Sequence, residues 1–189
     1  MTYAETVETT SWVVFEISND YKWTLFVTML MIVHYFTCVI GAGSPRKDLF
    51  PEDWMEEHFG KEHSEALNGA KIGKGGYPDC GSGRYTMERG YGSWMKFMKA
   101  QRGHYNYLES VSQILTMMLT CGLYYPIATA VIGAVYMVGR IIFQVGYKIA
   151  PQTRMLGVPI VMLTQFGLPI FTIVSLSHLA SSSKAIGAM

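Results

Sequence analysis

The sequence predicts an all-α protein, an integral membrane four-helix bundle with an unusually long polar loop between helices 1 and 2. Three observations lead there. Half of the 189 residues are hydrophobic and only 15% are charged, against roughly 25% in an ordinary soluble domain. Four apolar segments come near the ~20 residues needed to cross a bilayer. Ionisable and amide residues at two of these segments fall on single helical faces instead of being scattered.

Residues 1–21 are an acidic leader without arginine. A transit peptide or signal peptide starts with a basic segment, so the first hydrophobic segment is expected to be retained. The apolar patch at 12–17 is too short to span and is read as interfacial or as a partner contact. Residues 22–43 form the first expected span. His34 is its only possible charge, expected to be neutral and hydrogen-bonded, and the span is expected to end at Gly41-Ala-Gly-Ser-Pro45.

The inserted loop, 44–95, opens with Pro51-Glu-Asp-Trp, a helix-start pattern that predicts a short helix to about Ala66. Its glycine-rich part, 69–83, lacks the Gly-x4-Gly-Lys-Ser/Thr spacing of a phosphate loop, and no strand precedes it. His58, His63 and Cys80 match no zinc spacing, so no metal is expected and the stretch reads as solvated loop.

The second span, 103–121, is entered through a basic amphipathic approach with Lys96, Lys99 and Arg102. The short turn 122–126 makes its neighbour antiparallel. The third span, 126–147, carries Thr129, Ala130, Gly133 and Ala134, small residues that allow close helix packing. A basic connection through Pro151 leads to the fourth span, 157–179, which contains Pro159, Gln165 and Pro169. A polar tail, 181–189, closes the chain. Cys38, Cys80 and Cys121 are scattered and odd in number, which suits packing and not a disulfide framework. A net charge of +1 gives no electrostatic reason to expect nucleic acid as a partner. Lysine and arginine placement puts the flanks of the long loop and the 148–154 connection on the cytoplasmic or matrix side. The membrane is expected to be that of the endoplasmic reticulum or the mitochondrion.

Arg102, Asn106, Glu109 and Gln113 are four, three and four residues apart, which places them on one stripe of a helix. An ionisable residue inside a membrane helix is costly and points to function. Arg140, Gln144 and Tyr147 make a second stripe on the third span. The ordinary reading is a buried Glu109–Arg140 ion pair that fixes helix packing. It leaves Arg102, Asn106, Tyr147 and Arg154 without a purpose. Antiparallel pairing brings these four to one membrane surface, where they form a pocket for a small zwitterionic or anionic molecule, open to lipid.

The stretches Gln101-Arg-Gly-His-Tyr-Asn-Tyr-Leu-Glu109, Gly122-Leu-Tyr-Tyr-Pro126 and Val138-Gly-Arg-Ile-Ile-Phe-Gln-Val-Gly-Tyr147, with Arg154 and His178-Leu179, resemble the membrane-associated proteins in eicosanoid and glutathione metabolism (MAPEG). The microsomal glutathione transferase 3 type is the nearest branch. The resemblance covers the four spans, within 22–180, and not the leader or most of the long loop, and it implies a homotrimer with glutathione bound between protomers. Carried over, Arg102, Asn106 and Glu109 hold the charged ends of glutathione, Arg140 and Tyr147 line the same site, and Arg154 is the catalytic arginine that stabilises the thiolate. The co-substrate is then a hydrophobic electrophile or a lipid hydroperoxide arriving through the lipid. Phe143 and Ser110 stand where family enzymes have tyrosines, and the loop is longer than the family's.

The expected function is a membrane-bound glutathione transferase or peroxidase. One alternative is a non-catalytic structural subunit of a larger membrane complex, such as a mitochondrial one. It would contact other membrane subunits through loop 44–95 and leader 1–21. Another is a lipid-binding accessory protein without catalysis.

Overall fold

The computed structural model describes residues 17–186, so the leader patch at 12–17 lies outside the described residues except for Ile17. In chain order the elements are α1 (Tyr21–Leu49), α2 (Glu52–Met55), a π-helical stretch Glu56–Gly60, α3 (Lys61–Ala66), a 3-10 turn Lys74–Gly76 and α4 (Arg84–Met87). After these come α5 (Tyr91–Gly122), α6 (Pro126–Ile149), a second 3-10 turn Pro151–Leu156 and α7 (Val158–Ile186). The four long helices pack as a bundle in which α5 and α6 each touch the other three. Met31, Tyr107, Ile114, Met118, Cys121, Tyr136 and Leu168 fill its centre.

Three of the four, α1, α6 and α7, are long and apolar enough to cross a membrane. Their outward side chains are exposed hydrophobics such as Phe36, Val138 and Phe166, as lipid contact requires. α5 has 32 residues, about 48 Å of helix. Its N-terminal turns carry Lys96, Lys99 and the polar stripe, so on composition alone it does not qualify. It is held in the bundle by its apolar face.

Helix 1 differs from expectation at its end. The Gly41–Pro45 stretch does not stop it, and α1 runs through Pro45 to Leu49. Proline removes one helical N–H and crowds the preceding turn, and Arg46, the next residue, ties the extension of the helix to the segment that follows. Its side chain is buried, donates Nη2 to the Asp79 carbonyl at 2.6 Å and lies 3.7 Å from the centroid of the Tyr77 ring. Phe50 N–H then closes the helix on the Arg46 carbonyl.

The extension of α1 exists because residues 50–90 fold onto it. Leu49, Phe50, Met55 and Phe97 form a second core, flanked by Trp54, Ile72, Tyr85 and Met98. The glycine-rich stretch is solvent-exposed over much of its length but pinned at Gly76, Asp79 and Gly81, which are buried. Asp79 organises it. Its Oδ1 accepts from the N–H of Gly81 and Gly83 and from the Thr86 hydroxyl, and its Oδ2 accepts from the Thr86 N–H. Four glycines there have positive φ, Gly69, Gly75, Gly76 (63°) and Gly81 (103°), which glycine adopts without a Cβ penalty. His58 stacks on Trp54 with ring centroids 4.5 Å apart. We call this folded insertion the cap.

At the other terminus, α7 passes Pro169 and continues to Ile186, so the first part of the expected tail is helical.

Candidate functional site

The C-terminal end of α6, the N-terminal end of α7, the turn between them and the polar half of α5 enclose a cleft of about 490 Å³. One wall is polar and carries Arg102, Asn106, Glu109, Tyr147 and Arg154. The other comes from α7, where Val158, Val161, Met162 and Gln165 share a face at i, i+3, i+4 and i+7. Five of the six residues singled out in the sequence thus border one cavity. Gln113, the last of the α5 stripe, is exposed and does not.

The turn that carries Arg154 is fixed by two close approaches. A Cβ at Gly146 would lie 2.6 Å from the Thr153 carbonyl oxygen, and one at Gly157 would lie 2.6 Å from that of Gly139. Both obstacles are backbone, so only glycine lets the turn and the start of α7 seat on α6. The Thr153 hydroxyl donates to the carbonyls of Gly146 and Ala150. Held in this way, Arg154 donates Nη1 to the Tyr147 hydroxyl at 3.2 Å. The phenol oxygen is an acceptor in that bond, which leaves its own proton available to a ligand.

Arg140 is the sixth residue. It is 1% exposed and lies behind the cleft wall. The expected ion pair with Glu109 is not formed. Arg140 donates Nη1 to Asn106 Oδ1 at 2.7 Å, and the flat of its guanidinium rests 4.4 Å from the Tyr107 and 5.0 Å from the Phe143 ring centroid. Its Nε and Nη2 find no hydrogen-bond partner among the described residues. A buried guanidinium with orphaned donors is costly unless something completes it. Its contact with Asn106 turns the amide of a cleft residue.

Ser110, Phe143, Met155 and the α7 wall complete the lining. Ser110 shares a hydrogen bond of 2.9 Å with the Tyr136 hydroxyl. Gln165 had a signal in the sequence as the one amide in an apolar span. The apolar members had none, because a side chain facing a cleft and one facing lipid look alike in a hydrophobic helix.

The helices and the cleft define a class, a polytopic membrane bundle with a cationic and amide-lined cavity at one end and an apolar wall opposite. The chain belongs to the MAPEG family, whose profile matches residues 66–174, more than half of its length. The match takes in the glycine-rich stretch, α5, α6 and most of α7 and leaves α1 outside. Membership places the protein among the membrane-associated proteins in eicosanoid and glutathione metabolism, a glutathione-linked family. No curated protein matches the chain.

Proposed function

We propose that the protein is a membrane-bound glutathione transferase or peroxidase of the microsomal glutathione transferase 3 type, acting on hydrophobic electrophiles or lipid hydroperoxides as a homotrimer. The observation that carries this reading is the Arg154–Tyr147 contact inside a cleft with one charged and one apolar wall. A tripeptide with two carboxylates and an ammonium is complementary to Arg102, Asn106 and Glu109. Arg140, buried behind the wall, acts on the site through its bond to Asn106 Oδ1. A thiol of pKa ~8.5 is mostly protonated at neutral pH, and a neighbouring guanidinium favours the thiolate. Arginine stays charged when desolvated. The α7 wall then receives the apolar co-substrate, and the thiolate forms the C–S bond as the electrophile's leaving group departs. With a hydroperoxide it takes the terminal oxygen and releases the alcohol, after which a second glutathione displaces water to give the disulfide.

The test is conjugation of glutathione to a model electrophile by the purified protein. Arg154→Ala is expected to lower kcat by about 10²–10³, the loss seen when one charge-stabilising donor is removed. Equal rates for the two proteins reject the role given to Arg154.

The cap favours a second reading, a structural subunit of a larger membrane complex. It is a folded body that leaves Tyr77, Met87 and Tyr91 largely exposed, more than a lone enzyme needs. Extraction in mild detergent separates the two readings. A large assembly supports the subunit, and a homotrimer alone counts against it.

A further inference from the structure

A second depression lies on a different part of the bundle, between the end of α1, the start of α5 and the end of α6, with a volume of about 450 Å³. Gly41 and Pro45 form its α1 side, and Lys96, Lys99 and Lys148 converge on it from the other two helices. Lys148 Nζ lies 3.6 Å from where a Cβ on Gly41 would be, which sets the ammonium against the α1 side of the hollow. Lys96 is paired with Asp48 at 2.7 Å. Lys99 Nζ donates to the Ile149 carbonyl at the end of α6. Lys148 has no hydrogen-bond or ion-pair partner among the described residues, and no acidic side chain lines the groove. The site therefore carries a surplus of positive charge.

Immediately toward the bilayer the surface turns apolar. Ile40 is 76% exposed, and Val145 and Ile141, one and two turns before Lys148 on its face of α6, are exposed too. Lysines that merely end a helix need no shared hollow. Here three cations from two helices surround one hollow, and an apolar strip leads away from it. An acidic phospholipid has that same order of parts, phosphate above and acyl chain below.

We propose that this groove is a binding site for an acidic glycerophospholipid, with the lipid phosphate among Lys96, Lys99 and Lys148 and an acyl chain along Ile141 and Val145. It is separate from the cleft on α7 and does not depend on the function proposed for that cleft.

The test uses the full-length protein in a neutral detergent, with phosphatidylglycerol, phosphatidylcholine or inorganic phosphate added. Native mass spectrometry counts retained lipid, and thermal unfolding reads stabilisation. Phosphatidylglycerol is expected to remain bound and to raise the unfolding temperature, while the other two do neither. The double variant Lys99→Gln/Lys148→Gln should bind phosphatidylglycerol about thirtyfold more weakly, at roughly fivefold per lysine. Gly41→Leu, which fills the hollow and leaves every charge in place, should abolish retention. Lys61→Gln/Lys71→Gln removes the same charge from the cap and should behave as the unmodified protein. The proposal is overturned if phosphatidylcholine is held as well as phosphatidylglycerol, a comparison that needs no variant. It is also overturned if either groove variant retains the acidic lipid normally, or if inorganic phosphate alone reproduces the stabilisation.

Discussion

Asp79→Asn measures what holds the cap together. The carboxylate accepts four hydrogen bonds at 2.8 to 2.9 Å, three of them from backbone N–H groups. Asparagine keeps the shape and one acceptor oxygen. It removes the charge and turns an NH2 donor toward groups that are themselves donors. Bonds to a charged acceptor are worth ~1.5–3 kcal/mol each and do not add fully, so the cap should lose about 2–4 kcal/mol of local stability, a factor of about 30 to 10³ in its opening equilibrium. Amide hydrogen exchange at Gly81, Gly83 and Thr86 reads this directly, and trypsin cleavage at Lys71 and Lys74 supports it. The pH dependence follows from the same geometry. Burial raises the Asp79 pKa, but the N–H of Gly81, the N–H and hydroxyl of Thr86 and the N–H of Gly83 outweigh it and hold the group below the usual carboxylate value. A depressed folded-state pKa contributes its stability in full above the unfolded value of ~3.9 and loses it as pH falls toward the folded value. Protection of these amides, corrected for intrinsic exchange, should therefore drop between about pH 5 and pH 2 in the unmodified protein and stay flat in Asp79→Asn. Equal protection in both proteins at neutral pH would refute the view that this carboxylate organises the glycine-rich stretch.

Three further outcomes are expected at the cleft. Arg140→Met should leave the unfolding temperature unchanged or raise it, because a buried guanidinium with two unmet donors carries a desolvation cost that an apolar side chain of similar length does not. The same variant should weaken glutathione binding several-fold by calorimetry, since it frees the Asn106 amide that Arg140 holds in the cleft wall, and one ordinary hydrogen bond is worth ~1 kcal/mol. Gly157→Ala puts a methyl group 2.6 Å from the Gly139 carbonyl and must lift the start of α7. It should lower kcat by more than about tenfold through displacement of Arg154, while a rate equal to the parent's would show that the turn adjusts freely. Phe143→Tyr adds a hydroxyl to the cleft wall and should tighten glutathione binding about fivefold, the worth of one ordinary hydrogen bond. An unchanged titration would mean that this ring does not reach the tripeptide.

What could be read from the sequence, and what could not, divides along a physical line. Arg102, Asn106 and Glu109 come together because helical periodicity alone aligns them, and Tyr147 and Arg154 join them because a seven-residue separation across a short turn leaves little freedom. The partner of Arg140 was misjudged for a different reason. Charge favours Glu109, but a planar guanidinium pressed between Tyr107 and Phe143 can offer only its edge, and the acceptor at that edge is Asn106. Pro45 marks the loss of one N–H, and nothing local shows that Arg46 ties the extended helix to a carbonyl 33 residues away. In the glycine-rich stretch, composition suggests freedom. The structure uses the same residues for turns with positive φ that close around one carboxylate.

The cap and the cleft meet on a single helix. Phe97 is buried in the core of the cap, and Trp94 donates its indole N–H to the Gly81 carbonyl at 2.7 Å. Arg102 follows little more than one turn later on the same rod, and Glu109 two turns after that. A helix transmits its rotational phase along its axis with almost no slack, since each turn is tied to the next by backbone hydrogen bonds. Whatever fixes the rotation of α5 at Trp94 and Phe97 therefore also sets the direction of the Arg102–Asn106–Glu109 stripe. Within the bundle the opposite face of α5 is anchored at Tyr107, whose hydroxyl donates to the Met31 carbonyl on α1. The polar stripe is thus clamped from both sides of the membrane boundary. The insertion that looked like a departure from an enzyme's needs also steadies the residues that an enzyme would use.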